Sequence, residues 1–426
     1  MSMTKTNIVY NVNRVLDKKG NIMRKLSIGF LSTILLAQGA VAAEDLFKMA
    51  QAEQPAFIET WKSLVNIDSG SGYAPGLAAV ENQLTQKLES LGAKVETFPV
   101  TTGVGNSIVG TFSGKGTQQI LLMIHYDTVF NEGEAEKRAF RTDATKAYGP
   151  GVADAKGGAA MILHTVKLLN DLKFSNYKTL TVFFNPDEEL GSPGSSALIK
   201  KLAAEQDYVF SFEPPNQDAV LVGVKGITNI DLHINGVAAH AGAAPEQGRN
   251  AVIEMAHQLL QLNDLGDANK GTTVNWTIAQ GGDKKNVIPD KAYAIADMRI
   301  WDIAEVERVQ KQAEDIIKKH LVPDTEVTIS MNERRPPLTP NSDNKKLAEQ
   351  AQQIYRDLNR ELTVTSIGFG SDAGFAYNPK NSKPIVLEGL GVVGGNLHSP
   401  DEYAELESIA ARLYLTARMI QETPGE

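Results

Sequence analysis

Histidine and carboxylate side chains occur at five places where the chain is predicted to leave a strand. Imidazole and carboxylate groups, in a chain without cysteine, suit zinc, or cobalt or manganese in the same geometry. Their number exceeds what one tetrahedral ion needs, so two metals that share a bridging carboxylate fit better. The candidates are His125 and Asp127 in MIHYDTV, Asp154 in GPGVADAKGG, Glu188 and Glu189 in NPDEELGS, Glu213 in FSFEPP and His398 in GGNLHSPDEY.

The motif His125-Tyr126-Asp127 ends one of these strands. Side chains two residues apart in an extended strand point to the same side. Asp127 can therefore accept a hydrogen bond from the ring nitrogen of His125 that faces away from a metal. We predict that Asp127 orients the imidazole without binding the metal itself.

Asp154 lies between two glycine-rich segments, GPG and KGG. Glycine lets the backbone turn sharply and approach its neighbours closely. Asp154 also lies just before a predicted helix, whose amino end carries partial positive charge. Both features favour a carboxylate held at a metal site.

Two adjacent glutamates, Glu188 and Glu189, follow an apolar run and precede a glycine- and proline-rich turn in FFNPDEELGSPGSS. Adjacent side chains that leave a strand point apart. One carboxylate can therefore bind a metal while its neighbour accepts a proton from water as a general base.

Each of these motifs also has a structural interpretation. A surface DEEL is a common solvated helix start, and an isolated histidine such as His398 is more often structural. The agreement of all five places in chain order and strand position is what favours a catalytic site. We interpret the histidines within predicted helices and strands as structural, namely His164, His233, His257 and His320.

The elements that must position these residues alternate between strand and helix. QQILLMIHYDTVF, KTLTVFFNP and DYVFSFEP predict buried strands, and GGAAMILHTVKLLNDL and SSALIKKLAAE predict the helices between them. This alternation indicates an α/β domain with a largely parallel sheet, whose ligands gather at the carboxyl ends of the strands. NKKLAEQAQQIYRDL, KPIVLEGL and EYAELESIAARLYLTARMI predict a closing helix, strand and helix.

The pattern changes after Lys225-Gly226. Residues 226–336 predict the order strand, helix, strand, strand, helix, strand, which matches a ferredoxin-like unit. RRPPLTPNSDN is predicted to be the linker that leaves this insertion. The second helix of the unit has an apolar stripe formed by Val306, Val309, Ala313, Ile316 and Ile317.

The composition bounds the number of domains and argues against some binding partners and some kinds of chemistry. A chain of 426 residues with 42% hydrophobic residues can bury more than one core, so two domains are expected. The formal charge is −9, and residues 1–42 hold six Lys or Arg against the single Asp17, a net +5, which leaves −14 for the remainder. Such an acidic body disfavours nucleic acid as a partner. The absence of cysteine excludes disulfides, thiolate ligands and cysteine nucleophiles.

The segment MRKLSIGFLSTILLAQGAVA has the features of a secretory signal. Its apolar stretch is too short to span a bilayer. We therefore expect cleavage near Ala42 and a periplasmic or secreted protein with no membrane anchor. Met23 is then an alternative start that makes residues 1–22 superfluous. The signal features are the basic Arg24-Lys25, the apolar stretch 26–37 and the small residues Ala40-Val41-Ala42.

Together these motifs resemble those of the di-zinc metallopeptidase family of glutamate carboxypeptidases, aminoacylases and dinuclear-zinc dipeptidases. The likeness runs from about Phe57 to the carboxyl terminus and is strongest to bacterial glutamate carboxypeptidases. It implies an α/β fold with a mostly parallel, zinc-exopeptidase-type sheet, helices on both faces and an inserted ferredoxin-like α+β domain for the lid and dimerisation. The implied divisions are 1–42 for the extension and signal, 43–225 with 337–426 for catalysis, and 226–336 for the lid and dimer.

The resemblance also implies a role for each candidate ligand. His125 and Glu213 correspond to the ligands of one Zn²⁺, and Glu189 and His398 to those of a second, while Asp154 corresponds to the bridging carboxylate. Two Zn²⁺ per chain are therefore expected, with Co²⁺ or Mn²⁺ as possible substitutes. Glu188 corresponds to the general base of the family.

In the inserted domain the most recognisable stretch is GVAAHAGAAPEQGRNA. The resemblance implies that His240 reaches a neighbouring subunit's site and polarises the scissile carbonyl, so a homodimer through this domain is expected. The alternative for His240 is a buried histidine at a strand-to-loop corner. Arg299 in ADMRI corresponds to an arginine that grips the terminal carboxylate of the substrate, and Asn275 to a polar contact at the same end.

One departure from the family pattern follows Asp154. Close relatives carry a second aspartate where this chain has Ala155. The family holds the bond between these positions cis, so its support must differ here. The substitution removes no metal ligand.

The reaction that these observations predict is hydrolysis of an amide bond with release of a C-terminal amino acid, glutamate in the first instance, from small peptides, N-acyl amino acids or folate-like substrates. An aminoacylase or dipeptidase with another side-chain preference would share the ligands and the base, so the sequence leaves that alternative open. A non-catalytic periplasmic binding protein is the alternative from another class. The complete ligand set with Glu188 argues against it.

Overall fold

The computed structural model describes residues 29–423 except Ser382, and for residues 29–43 it describes the backbone alone. Of the described residues, those up to Leu46 and those from Phe47 onwards belong to separate compact units. The basic start of the predicted signal segment and the alternative start at Met23 lie outside the described residues. Within the described residues, no helix is both long enough and apolar enough to cross a membrane.

The described chain contains ten α-helices, of which α4 directly follows the loop with Asp154. In chain order they are α1 (Gly29–Val65), α2 (Ala74–Ser90), α3 (Glu134–Lys137), α4 (Lys156–Asp171), α5 (Ser196–Ala203), α6 (Ala251–Gln261), α7 (Ala304–Ile316), α8 (Ser342–Arg356), α9 (Ala373–Ala376) and α10 (Ser408–Glu422), with short 3₁₀ turns at Glu188–Leu190 and Pro245–Gln247.

The strands form a central sheet, a second sheet of four strands and smaller sheets. In chain order they are β1 (Lys94–Pro99), β2 (Asn106–Ser113), β3 (Gln119–His125), β4 (Arg141–Thr142), β5 (Lys146–Tyr148), β6 (Thr179–Asn185), β7 (Tyr208–Ser211), β8 (Ala219–Val224), β9 (Gly226–Asn235), β10 (Ala239–His240), β11 (Thr273–Gly281), β12 (Val287–Ile288), β13 (Lys291–Ile300), β14 (Glu326–Arg335), β15 (Thr363–Ile367), β16 (Ile385–Leu387), β17 (Gly394–Gly395) and β18 (Tyr403–Glu405).

The central sheet has the order β1-β2-β6-β3-β7-β16. Strands β6, β3, β7 and β16 are parallel. At one edge β2 pairs antiparallel with β6, and β1 pairs antiparallel with β2. Residues Ile120 to His125 of β3 are all buried. Successive side chains alternate between faces: Met123 joins an apolar cluster on one face, and Ile124 lies against Gly158 of α4 on the other. Both faces are therefore covered, which explains the continuous apolar run in the sequence.

The second sheet has the order β11-β13-β9-β14, and all its neighbours are antiparallel. Burial alternates along β9 and β13, so one face is packed and the other is open. Met255 of α6 and Val309 of α7 lie in the apolar cluster on the packed face, together with Ile230 and Leu232. This arrangement confirms the predicted ferredoxin-like unit.

Several local predictions were wrong. The last predicted helix contains a strand, because β18 precedes α10, which begins at Ser408. The predicted linker begins inside β14, which continues to Arg335. Strands β8 and β15, which pair in parallel with each other, were not predicted. In each case the extended backbone is stabilised by a partner far away in the sequence, which local patterns do not reveal.

A buried polar cluster joins α1 to α4 away from the candidate site. Nδ1 of His164 is 2.7 Å from Oε1 of Glu53, and its Nε2 is 3.0 Å from Oγ1 of Thr60. Lys167 approaches the other oxygen of Glu53 at 3.3 Å. Burial lowers the pKa of His164 below its usual value. The arrangement agrees with the structural interpretation of this histidine.

The cluster predicts how the stability depends on pH. Because the pKa of His164 is lower in the folded than in the unfolded chain, the unfolded chain binds the proton first as the pH falls below about 6.5. The free energy of unfolding should therefore fall more between pH 7.5 and 5.5 in the wild type than in His164→Gln, by up to about 1.4 kcal/mol, because the window ends about one pH unit below the unfolded pKa. Urea unfolding in the presence of a chelator measures this, with His233→Gln, at an exposed position of β9, as control. Equal losses in the wild type and His164→Gln would contradict it.

Candidate metal centre

The predicted ligand positions meet at the carboxyl edge of the central sheet. His125 ends β3, the turn Glu188–Leu190 follows β6, and Glu213 follows β7. Because β3 lies between β6 and β7 and is parallel to both, the three strand ends share one edge. Asp154 reaches this edge from the loop before α4, and His398 from the loop before β18.

Asp154 lies between the two histidines. Its Oδ1 is 3.1 Å from Nε2 of His125, and its Oδ2 is 3.2 Å from Nε2 of His398. Oε1 of Glu213 is 3.6 Å from the same His125 nitrogen, and Oε2 of Glu189 is 3.3 Å from the same His398 nitrogen. The five side chains therefore form two groups that share the Asp154 carboxylate.

Asp127 lies behind this cluster and is fully buried. Its Oδ1 is 3.2 Å from Nδ1 of His125, the ring nitrogen that faces away from Asp154. The same carboxylate accepts hydrogen bonds from the backbone N–H groups of Glu188 and Glu189, at 3.1 and 3.2 Å. One side chain thus orients an imidazole and holds the turn with both glutamates.

The donor set fits a divalent cation. Ligand atoms of His125, Asp154 and Glu189 all lie within 4.8 Å of one another. Oε1 of Glu189 is buried and has no hydrogen-bond partner among the described residues, an unfavourable state that a cation would relieve. Burial raises the pKa of Glu189 to about 7 and that of Glu213 well above its usual range. Hydrogen bonds to Asp154 and Glu189 raise the pKa of His398 to about 10.

Glycines allow the loop with Asp154 to pack closely. Gly151 has a φ of 72°, which disfavours other residues. A Cβ atom on Gly158 would lie 2.4 Å from the backbone oxygen of Phe212, so only glycine lets α4 approach the end of β7. The bond between Asp154 and Ala155 is cis, as the resemblance implied. The two glycine-rich segments therefore have separate tasks, a turn and a close helix–sheet contact.

Sequence reasoning missed Arg335, which the structure places against Glu188. Its guanidinium is buried and donates hydrogen bonds to Oε1 and to the backbone oxygen of Glu188, and another to the backbone oxygen of Gly370 at 3.2 Å. The sequence offers no local signal for this pair, because 147 residues separate its members.

Arg335 and Arg299 flank the same residue of the second sheet. Ile227 of β9 is in register with Arg299 of β13 on one side and with Arg335 of β14 on the other. Arg299 also forms an ion pair with Asp297, with Nε 2.7 Å from Oδ1. Asn275 lies in β11 opposite Asp297, and it is exposed.

A cavity of about 490 Å³ connects the ligand cluster with the open face of the second sheet. Arg299 lines it, whereas Asn275 and His240 are not among its described lining residues. The charged part of its wall is formed by Asp154, Glu188, Glu189, Glu213, Arg299, Arg335 and His398. The apolar part is formed by Pro214, Ile227, Phe369 and Leu397. Such a mixture of an apolar wall and converging polar groups is typical of a small-molecule site.

His240 lies apart from this cavity, exposed at the end of β10. Its Nδ1 accepts hydrogen bonds from the backbone N–H groups of Gly242 and Ala243, at 3.2 and 3.1 Å. The proton of the neutral ring is therefore on Nε2, which can donate to an oxygen of another molecule. Because His240 is exposed, it is not the buried histidine of the alternative interpretation.

An α/β sheet with a carboxylate and imidazole cluster at its carboxyl edge, joined to a ferredoxin-like unit, is the architecture of a metal-dependent hydrolase. The chain matches the model of peptidase family M20/M25/M40 over residues 121–422 and belongs to that family. It is 40% identical over 411 residues to carboxypeptidase G2 of Pseudomonas sp. strain RS-16, a match that covers 94% of this chain and 98% of that protein. The chain is therefore a metal-dependent exopeptidase of the metallo-carboxypeptidase type.

Solved structures share the fold. Aminopeptidase PepT from Bacillus cereus ATCC 10987 superposes with a TM-score of 0.74 at 22% identity, covering 87% of this chain and 98% of that one. The M20 family metallo-carboxypeptidase Sso-CP2 from Sulfolobus solfataricus has a TM-score of 0.69 at 18% identity, covering 86% and 98%. These likenesses confirm the predicted fold class.

Proposed function

We propose that this enzyme binds two Zn²⁺ ions and releases a C-terminal glutamate from N-acyl or peptide substrates. The observation that carries the proposal is the position of Asp154, whose two oxygens face two separate groups of ligands. In one group are His125 and Glu213, and in the other are Glu189 and His398. Co²⁺ or Mn²⁺ could take the same positions, because the donors are nitrogen and oxygen only.

The residues around the ligands would divide the chemical work. When bound, the metal pair would lower the pKa of water and polarise the scissile carbonyl. Glu188 accepts the proton from water and delivers it to the leaving amine. Arg335 holds the carboxylate of Glu188 in place. Nε2 of His240 donates a hydrogen bond to the developing oxyanion.

Release of a C-terminal residue is supported by the relative named carboxypeptidase G2, and the preference for glutamate by the cavity and by the resemblance of the motifs to those of glutamate carboxypeptidases. Arg299 is suited to the terminal carboxylate, for which Asn275 could supply a further polar contact once the substrate is bound. The apolar wall with Phe369, which is 42% exposed, suits an acyl or aromatic part of the substrate. Acetylornithine deacetylase of Vibrio atlanticus, 30% identical over 55% of this chain, supports the alternative of a deacylase with another side-chain preference.

Hydrolysis of N-acyl-glutamate tests this proposal. Activity should be lost on treatment with a chelator and return on addition of Zn²⁺, because water and carbonyl are activated at the metal pair. Across N-acyl derivatives of glutamate, leucine and lysine, kcat/KM should be highest for glutamate by about tenfold or more. Indifference to the chelator would contradict the metal mechanism, and a maximum with leucine or lysine would favour the aminoacylase or dipeptidase alternative.

Residues 226–336 are proposed to form a separate lid and dimerisation domain. Strand β11 is at one edge of its sheet, so its outer backbone groups can pair with a second copy. Beside this edge, Ile278 and two residues of α6, Ile253 and Leu260, are exposed, Leu260 to 81%. Exposed apolar side chains along an open strand favour a homodimer.

The proposed location is the periplasm or the outside of the cell. Its support is the basic, apolar and small-residue order of the amino-terminal segment, with cleavage near Ala42. The lack of cysteine is compatible with an oxidising compartment.

A further inference from the structure

Glu402 is a buried carboxylate, 1% exposed, that the metal ligand set does not include. Its Oε1 accepts hydrogen bonds from the backbone N–H groups of Ala153 and Asp154, at 2.8 and 2.9 Å. Its Oε2 accepts a third from Gly151 at 2.9 Å. One side chain therefore holds most of the loop that carries Asp154.

The same side chain belongs to the loop that carries His398. Glu402 lies four residues after His398 and directly before β18. Strand β18 pairs antiparallel with β5, and Tyr403 is opposite Tyr148. The start of β18, which follows the His398 loop, therefore lies beside the end of β5, which precedes the Asp154 loop. Glu402 cross-links these two loops at the base of the site.

Two other buried carboxylates act on the remaining ligand loops in the same way. Asp127 accepts the backbone N–H groups of Glu188 and Glu189. Glu388 accepts the backbone N–H of Glu213 at 3.2 Å. The ligand segments that follow β6, β7 and β5 are thus each held by a different buried carboxylate. The one held by Glu402 contains Asp154, which both groups of metal ligands share.

The charge of Glu402 has to be offset by its surroundings. Burying a carboxylate close to Asp154 is unfavourable unless hydrogen bonds and nearby cations offset the repulsion. Three backbone donors supply the hydrogen bonds, and the buried Lys156 supplies one positive charge. A divalent cation held by Asp154 would add a second source of positive charge on the side of the ligands.

We propose that Glu402 is a positioning residue of the metal centre, which fixes the loop with Asp154 relative to the loop with His398 and so sets the affinity for the metals. This inference rests on the proposed metal centre. It predicts that the geometry of the carboxylate is required, and that its loss weakens metal binding more than it weakens the fold.

The test compares Glu402→Gln and Glu402→Asp with the wild type and with Glu405→Gln, a half-exposed glutamate of the adjoining strand. Zn²⁺ affinity is measured by competition with a chromogenic chelator, and Tm is measured with Zn²⁺ and with excess chelator. Both Glu402 variants should bind Zn²⁺ about 10- to 100-fold more weakly. The increase in Tm on adding Zn²⁺ should shrink in both, whereas Glu405→Gln should match the wild type.

The outcomes separate the possible explanations. Zn²⁺ affinity within twofold of the wild type in the Glu402 variants, with an equal loss of Tm in both metal states, would assign Glu402 a structural role and overturn the proposal. Full affinity in Glu402→Asp alone would show that charge and not position matters, which also overturns it. If Glu402→Gln does not fold, Glu402→Asp decides the question. Failure of the wild type to bind Zn²⁺ would refute the metal centre, and this role with it.

Discussion

Replacing Glu188 by Gln should lower kcat by roughly 10³- to 10⁴-fold while the metal content stays unchanged. The amide keeps the shape of the side chain and can still accept a hydrogen bond from Arg335, but it cannot take up a proton from water. Among the described residues the carboxylate of Glu188 pairs with Arg335, whereas the carboxylates near His125 and His398 belong to Asp154, Glu213 and Glu189. The measurements are kcat and KM with N-acyl-glutamate, and metal content by elemental analysis.

The neighbouring glutamate supplies a matched comparison for this prediction. Glu189→Gln removes a carboxylate 3.3 Å from His398 and should reduce both activity and metal content. The exposed Glu136→Gln should change neither. Turnover close to the wild type in Glu188→Gln would refute its assignment as the base, and loss of metal from that variant would make it a ligand instead.

Complementation between two inactive variants should restore activity if His240 acts across a dimer. Loss of an oxyanion donor costs about 10²- to 10³-fold in kcat, so His240→Ala alone should be nearly inactive, like Glu188→Gln. A heterodimer of the two variants contains one site with both intact residues, and should have about half the wild-type rate. Two different affinity tags allow the heterodimer to be isolated and its composition checked by mass.

The structure supplies the reason to expect this crossed arrangement. His240 is exposed, lies outside the described lining of its own chain's cavity and has Nε2 free to donate. A lid movement that brings the partner's domain over the substrate would complete the site. If His240 served its own chain, every site of the heterodimer would carry a defect. Confirmed heterodimers without recovered activity would therefore exclude the crossed arrangement.

Much of the site could be predicted from the sequence, because its information is local. Parallel strands end at a common edge, so His125, Glu188 and Glu213 could be grouped before their distances were known. The spacing of His125 and Asp127 predicted their contact, which the structure shows at 3.2 Å. The order of strands and helices in residues 226–336 likewise predicted the ferredoxin-like unit that the structure shows.

The features that only the tertiary structure decided depend on contacts between distant segments. Arg335 was assigned to a linker, yet it forms a buried pair with Glu188, 147 residues away. Glu402 adjoins His398 in sequence, but its three backbone partners lie about 250 residues earlier, where the pairing of β18 with β5 brings them. Such contacts arise from sheet order and loop packing, which leave no period or spacing in the sequence. The sequence by itself determined the types of ligand and the strands that carry them, because side-chain chemistry and strand periodicity are local properties, whereas the fold decided which charges hold those ligands in place.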